Sequence, residues 1–165
     1  AMIPNRSGWL RNSFPLIDAS AEKPITYFKN IKVENNQLGE NEKPSYKYHP
    51  GHAEGIEITY DSELTSFRDI LDYFFRIHNP TTVDQQGNDR GSSYRSAIFI
   101  QNEEERITSE EVIEIVNESN RWDGKVVTTL EPISKFWPAE PEHQDYLLRN
   151  PNGYTCHFER FDSFK

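Results

Sequence analysis

Cysteine is nearly absent: Cys156 is the single thiol in 165 residues, which excludes a disulfide scaffold and a cysteine-rich metal site. The five histidines, at 49, 52, 78, 143 and 157, show no ligand spacing such as His-Glu-x-x-His, so no metal is expected. Basic residues are outnumbered, 18 Lys and Arg against 27 Asp and Glu, and the net charge of −9 repels a phosphate backbone. They form no stripe either, so nucleic acid is not an expected partner. No apolar run approaches the roughly twenty residues that cross a bilayer, and no basic-then-apolar leader opens the chain. A soluble monomer without membrane contact is the expectation, with the cytoplasm as its default location. Aliphatic side chains are sparse too, and ten Phe within an aromatic share of 13 % must supply much of the core. The length is that of one domain, residues 1–165.

What is present reads as short strands alternating with helices. Residues 5–14 are expected to hold a short first strand with Trp9 and Leu10 inward, and Leu16 to Ala21 a turn or two of helix between Pro15 and Pro24. Ile25-Thr26-Tyr27-Phe28 and Ile31-Lys32-Val33 carry β-branched and aromatic residues in strand-like runs, followed by a polar loop over 34–43. Ile56, Ile58 and Tyr60 alternate with Glu57 and Thr59 as a half-buried strand. Thr65 or Ser66 then offers an N-cap, and Phe67, Ile70, Leu71, Phe74 and Phe75 recur at helical spacing as core residues. The aperiodic run from His78 to Ser93 is longer than a connection needs, and such loops tend to carry function. Tyr94 to Ile100 reads as the next strand, and 103–118 as a helix with Ile107, Val112, Ile115 and Val116 inward and three acids at its positive end. Val126 to Leu130 is a last short strand. Beyond it Pro132, Pro138 and Pro141 break up a tail that is mostly coil, with a short helix near 142–148 and a turn at Pro151-Asn152-Gly153. This alternation predicts an α+β fold, a two-layer sandwich with helices packed on a mixed sheet.

Two segments organise the chain: Gly51-His52-Ala53-Glu54, and the run from Gln86 to Ser96 that holds Gly87-Asn88-Asp89 and Tyr94-Arg95-Ser96. Each lies beside a predicted strand, so both can deliver polar side chains into one cleft containing Glu54, Asp89 and Tyr94. A carboxyl beside tyrosine hydroxyls in a partly apolar pocket can serve as a proton donor, because burial raises its pKa toward neutrality. These segments resemble the signature of the A-type peptide-methionine sulfoxide reductases (the MsrA family). There a Pro-Thr-Tyr, a Gly-His-Ala-Glu and a Gly-Asn-Asp…Tyr-Arg-Ser run line the sulfoxide pocket, and here the first reads Pro44-Ser45-Tyr46. The likeness continues from Phe136-Trp137-Pro138 through His143-Gln144-Asp145-Tyr146 to Gly153-Tyr154-Thr155-Cys156-His157-Phe158. It spans residues 44–158 and leaves 1–43 as a divergent N-terminal part. The resemblance implies the same α+β fold, with a ferredoxin-like core and a long irregular C-terminal segment wrapped over it.

Sulfoxide reduction needs the oxygen protonated, an apolar seat for the S-methyl group and a soft nucleophile at sulfur. The resemblance implies Glu54 as the acid, Tyr46 and Tyr94 as oxygen binders, Asp89 as their support and His52 beside the substrate. It also implies that Cys156 is the recycling cysteine, which attacks the oxidised nucleophile to form a disulfide. Plainer readings stand next to these. A lone Glu beside a strand is usually surface, a lone Tyr usually core with a wet hydroxyl, and a lone Cys commonly an inert buried side chain.

The family's nucleophile sits in a Gly-Cys-Phe-Trp-Gly run at the end of the first strand, and no cysteine precedes Cys156. Counting back from His52 with the family's spacing reaches Asn12-Ser13-Phe14-Pro15-Leu16, with Ser13 for the cysteine, Phe14 for the methyl-binding aromatic and Pro15 for the tryptophan; Ser7-Gly8-Trp9 is another placement. A serine hydroxyl is hard and un-ionised, and it forms neither a sulfenic acid nor a disulfide. The expectation is therefore a catalytically silent relative that keeps the pocket and binds methionine sulfoxide or a methionine-bearing peptide or protein. An active reductase using Cys156 with an external thiol such as thioredoxin or dithiothreitol is the first alternative. A different reaction with Glu54 as acid or base is another, as is a structural or interaction module with a closed pocket. No resident cofactor is implied by any of them.

Overall fold

Ser66 opens the first described helix by a reciprocal cap: its hydroxyl accepts the Asp69 amide at 3.2 Å while Asp69 Oδ2 accepts the Ser66 amide at 3.1 Å. The computed structural model describes residues 51–58, 60–133, 140–141, 149–154 and 157–164, together with the backbone of strands at 27–33 and 136–138. The strand expected at 5–14, the helical turn at 16–21, the loop at 34–43 and the short helix near 142–148 lie outside the described residues. Helix α1 (Phe67–Ile77) buries Leu71, Tyr73, Phe75 and Ile77, and runs two residues beyond the apolar pattern that announced it.

Strand β1 (Tyr27–Val33) lies between β2 (His52–Ile58) and β7 (Phe136–Pro138), antiparallel to both, with Ile31 opposite Glu54 on one side and Trp137 on the other. Within the loop after α1, β3 (Gln85–Gln86) and β4 (Asp89–Arg90) make a two-residue hairpin, followed by a 3₁₀ turn at Ser92–Tyr94. Strands β5 (Ala97–Ile100) and β6 (Thr129–Pro132) pair in parallel, and α2 (Glu103–Glu118) is the crossover between them. Parallel and antiparallel pairing with helices packed alongside is the α+β arrangement the alternation predicts. The helices pack on each other and α2 packs on β5.

Four expectations change. Strand β2 begins at His52, so Gly-His-Ala-Glu enters the strand itself, and Tyr60 lies beyond its end. The strand expected at 126–130 is β6 at Thr129–Pro132, because the Val126 amide donates to Asn117 Oδ1 at 2.8 Å and the Val127 amide to the Pro80 carbonyl at 2.8 Å. The tail holds a strand, β7, despite its prolines. Finally, Ile107 and Ile115 on α2 face water, while Ser109, Val112 and Val116 face the core. At 3.6 residues per turn Ile107 stands about 140° around the helix from Val112, and Ser109 fills the inward seat by donating its hydroxyl to the Glu105 carbonyl at 2.7 Å.

The core joins Leu71 and Phe75 of α1, Ile98 of β5, Val112 and Val116 of α2, and Phe164 from the tail. The tail is irregular in shape but tightly tied. Asp72 Oδ1 accepts the Phe164 amide at 2.7 Å and the Ser163 hydroxyl at 3.1 Å, Arg76 Nε donates to the Phe161 carbonyl at 2.9 Å, and Phe161 meets Trp122 edge-on. No described helix is long and apolar enough to cross a membrane.

Candidate functional site

The chain turns into β2 at Gly51, whose φ of 77° is open to glycine and strained for other residues. His52 and Glu54 then share one face of the strand and Ala53 takes the other. All three are buried, Glu54 with 6 % of its surface exposed. A carboxyl is thus held on a strand end that is covered on both faces.

The long loop after α1 is fixed by buried polar side chains. His78, fully buried, places Nδ1 2.6 Å from the Phe74 carbonyl, which can only accept, so Nδ1 carries the proton. Nε2 is then the acceptor for the Ser96 hydroxyl at 2.7 Å, and Ser96 Oγ accepts in turn from Thr128 Oγ1 at 2.7 Å. Burial pushes the His78 imidazole down to about 3, so it is neutral and structural at ordinary pH. The Gln86 amide, also buried, pairs with the backbone of Asn79 as a strand would, accepting its N–H at 3.0 Å and donating to its carbonyl at 2.5 Å. The β3–β4 hairpin that carries Asp89 grows from this anchor.

Gly91, at φ 128°, then swings the chain into the Ser92–Tyr94 turn, which packs against β2. Tyr94 accordingly sits on a 3₁₀ turn, and the strand expected from Tyr94 to Ile100 begins only at Ala97. From the far end of the chain, the Tyr154 hydroxyl reaches Asp89 Oδ2 at 3.5 Å. His157 is buried, and desolvation, with His78 and Arg160 nearby, holds it well below the usual imidazole range.

Of the residues singled out, the structure gathers Glu54 and His52 on β2, Asp89 on the hairpin and Tyr94 on the turn. Ser13, Phe14, Tyr46 and Cys156 lie outside the described residues. Tyr154 was passed over as a site residue; the Gly153-Tyr154-Thr155-Cys156 run drew attention to its cysteine alone. Among the described residues no group of three or more His, Cys, Asp or Glu is placed to hold a metal. A buried carboxyl on a strand, with a phenol-bearing turn packed on that strand, can hold a substrate oxygen and pass it a proton.

Comparison with known proteins identifies the family. The sequence model of the family described as peptide methionine sulfoxide reductase matches residues 32–164. The chain is 60 % identical over 124 residues to "Peptide methionine sulfoxide reductase MsrA" of Nocardia farcinica, covering 75 % of this chain and 73 % of that protein. It is 58 % identical over 122 residues to "Peptide methionine sulfoxide reductase MsrA 2" of Rhodopirellula baltica, covering 74 % and 73 %. Among solved structures, reduced Mxr1 from Saccharomyces cerevisiae superposes with a TM-score of 0.73 at 32 % identity, over 82 % of this chain and 77 % of that one. Methionine sulfoxide reductase A of Corynebacterium diphtheriae superposes at 0.60 and 26 % identity, over 79 % and 66 %. By the span of the family match and the identity of these relatives, the chain belongs to the peptide methionine sulfoxide reductase family.

Proposed function

We propose that the protein reduces the S epimer of methionine sulfoxide in peptides and proteins, with Cys156 as its thiol and an external dithiol as reductant. The observation that carries this reading is the buried Glu54 on β2 with the Tyr94 turn packed on the same strand, in a chain so close to relatives named for the reaction. Tyr94 and Tyr46 bind the sulfoxide oxygen, Asp89 supports them, and His52 lines the pocket behind Glu54. Glu54, buried on β2, is the group that hands a proton to the oxygen. The Cys156 thiolate attacks sulfur, the oxygen takes the proton, and methionine leaves a sulfenic acid on the cysteine. One thiol of the reductant then displaces water to give a mixed disulfide, and its second thiol releases Cys156 and closes the reductant's own disulfide. The contact of Tyr154 with Asp89 supports the assignment, since it carries the chain to the pocket two residues before Cys156.

One observation favours a second reading, a silent relative that binds sulfoxide without reducing it. Cys156 is the single thiol of the chain, so the two-cysteine cycle has no second member here. Turnover of an S-sulfoxide peptide with excess dithiothreitol separates the two. The reductase reading expects turnover in wild type, none in Cys156→Ala, and a fall of about a hundredfold in Glu54→Gln. Turnover only in Ser13→Cys establishes the silent binder, and inert proteins throughout overturn the pocket assignment.

A further inference from the structure

Arg95 and Glu131 form a two-pronged ion pair at the foot of the turn that carries Tyr94. Arg95 Nε donates to Glu131 Oε1 at 3.0 Å and Nη2 donates to Oε2 at 3.3 Å, while Nη1 donates to the Ser92 carbonyl at 2.7 Å. The Thr129 hydroxyl adds a bond to Oε1 at 2.5 Å. Both side chains are largely out of water, 11 % and 16 % exposed. A guanidinium is planar and presents its donors in a fixed fork, so bonds made along two edges of one plane set an angle as well as a distance. Here one edge is fastened to β6 and another to the first residue of the 3₁₀ turn. The Ser92 carbonyl also takes the Arg95 amide at 3.3 Å, and the Gly91 carbonyl takes the Tyr94 amide at 2.9 Å, so the turn's own closing bonds meet the fork at the same place. An exposed ion pair would tolerate loss of one partner, but a desolvated one leaves an uncompensated charge that moves to find water.

We infer that Glu131 is a positioning residue for the sulfoxide site: through the Arg95 fork it fixes the Ser92–Tyr94 turn against β2, and with it the phenol of Tyr94 relative to Glu54. The inference rests on Tyr94 as an oxygen binder, and it gives Glu131 no part in the chemistry itself. Glu131 lies 37 residues after Tyr94 in the chain, and the parallel ladder that pairs Phe99 with it brings its strand alongside. The test is a double-mutant cycle read by calorimetric binding of the S epimer of N-acetylmethionine sulfoxide amide. Glu131→Gln and Tyr94→Phe each weaken binding about tenfold, and the double variant binds no more weakly than Tyr94→Phe alone. In protein labelled with ¹³C-tyrosine, the Tyr94 ring resonances move in Glu131→Gln and stay in place in Glu111→Gln. If Glu131→Gln does not fold, Arg95→Lys runs the same cycle, keeping the charge and losing the fork. Unchanged affinity in Glu131→Gln, or additive losses in the double variant, overturns the positioning role and leaves the pocket standing. Unchanged affinity in Tyr94→Phe, or no binding by wild type, overturns the pocket and the inference together.

Discussion

Gly51 and Gln86 show how single residues aim the site. At a φ of 77° an L side chain crowds its own carbonyl, a strain of about 1–2 kcal/mol, while alanine's narrower unfolded ensemble returns about half of that. Gly51→Ala is therefore expected to lose about 1 kcal/mol in urea denaturation, and to shift His52 and Glu54 along β2. Gln86 acts by hydrogen bonding: its amide pairs with both backbone groups of Asn79. Gln86→Leu keeps the volume and leaves that N–H and carbonyl unmatched, a loss of about 2 kcal/mol. Equal stability of Gln86→Leu and wild type in urea would show that the loop does not depend on this anchor.

Among the elements, the tail behaves as a strap fastened to the inner face of α1. Asp72 is 6 % exposed and holds the Phe164 amide, the Ser163 hydroxyl and, at 3.3 Å, the Arg76 guanidinium. Asp72→Ala strands the buried Phe164 amide and the Ser163 hydroxyl, while Arg76 keeps Glu159 and the Phe161 carbonyl as partners, so a loss of about 2 kcal/mol is expected, with fast hydrogen exchange at Phe164. Arg68 and Glu111 form an exposed pair, and Arg68→Ala is expected to change stability by under about 0.5 kcal/mol. Comparable losses in the two variants would refute the strap. The helix under it was legible because Phe67, Ile70, Leu71 and Phe74 recur on one face behind a serine cap. The inward face of α2 was less so, since periodicity ranks Ile107 above Ser109 and cannot foresee a serine satisfied by its own helix. Strand β7 was hidden altogether: Phe136-Trp137-Pro138 is too short to show a period, and its strand character comes from β1, more than a hundred residues earlier.

Taken whole, the molecule brings together β2, the β3–β4 hairpin, the Tyr94 turn and Tyr154, the segments from which the proposed site is drawn. The sequence motifs place Glu54, Asp89 and Tyr94 on segments that the fold does set against one another. What joins them could not be read from sequence, because Tyr154 with Asp89 and Arg95 with Glu131 are pairings made by topology alone. The same junction makes stability depend on pH. His78, at the end of α1, is bonded to Ser96 before β5, and His157 and Arg160 of the tail lie near it. Its folded pKa, about 3, is below the ordinary 6.5 mainly because of burial. Between those two values the unfolded chain binds a proton that the folded protein refuses, so stability is whole above pH 6.5 and falls as the pH drops toward 3. From His78 alone the loss between pH 7 and pH 5 is about 2 kcal/mol, and His157 adds to it in the same direction. Carboxylates titrate in the same range but are common to wild type and variant, so the difference between the two isolates the histidine. Urea denaturation at the two pH values is expected to show a fall in wild type that exceeds the fall in His78→Gln by about that amount. An identical pH dependence in both proteins would mean that His78 takes up its proton while folded, and that the junction opens to water well above pH 5.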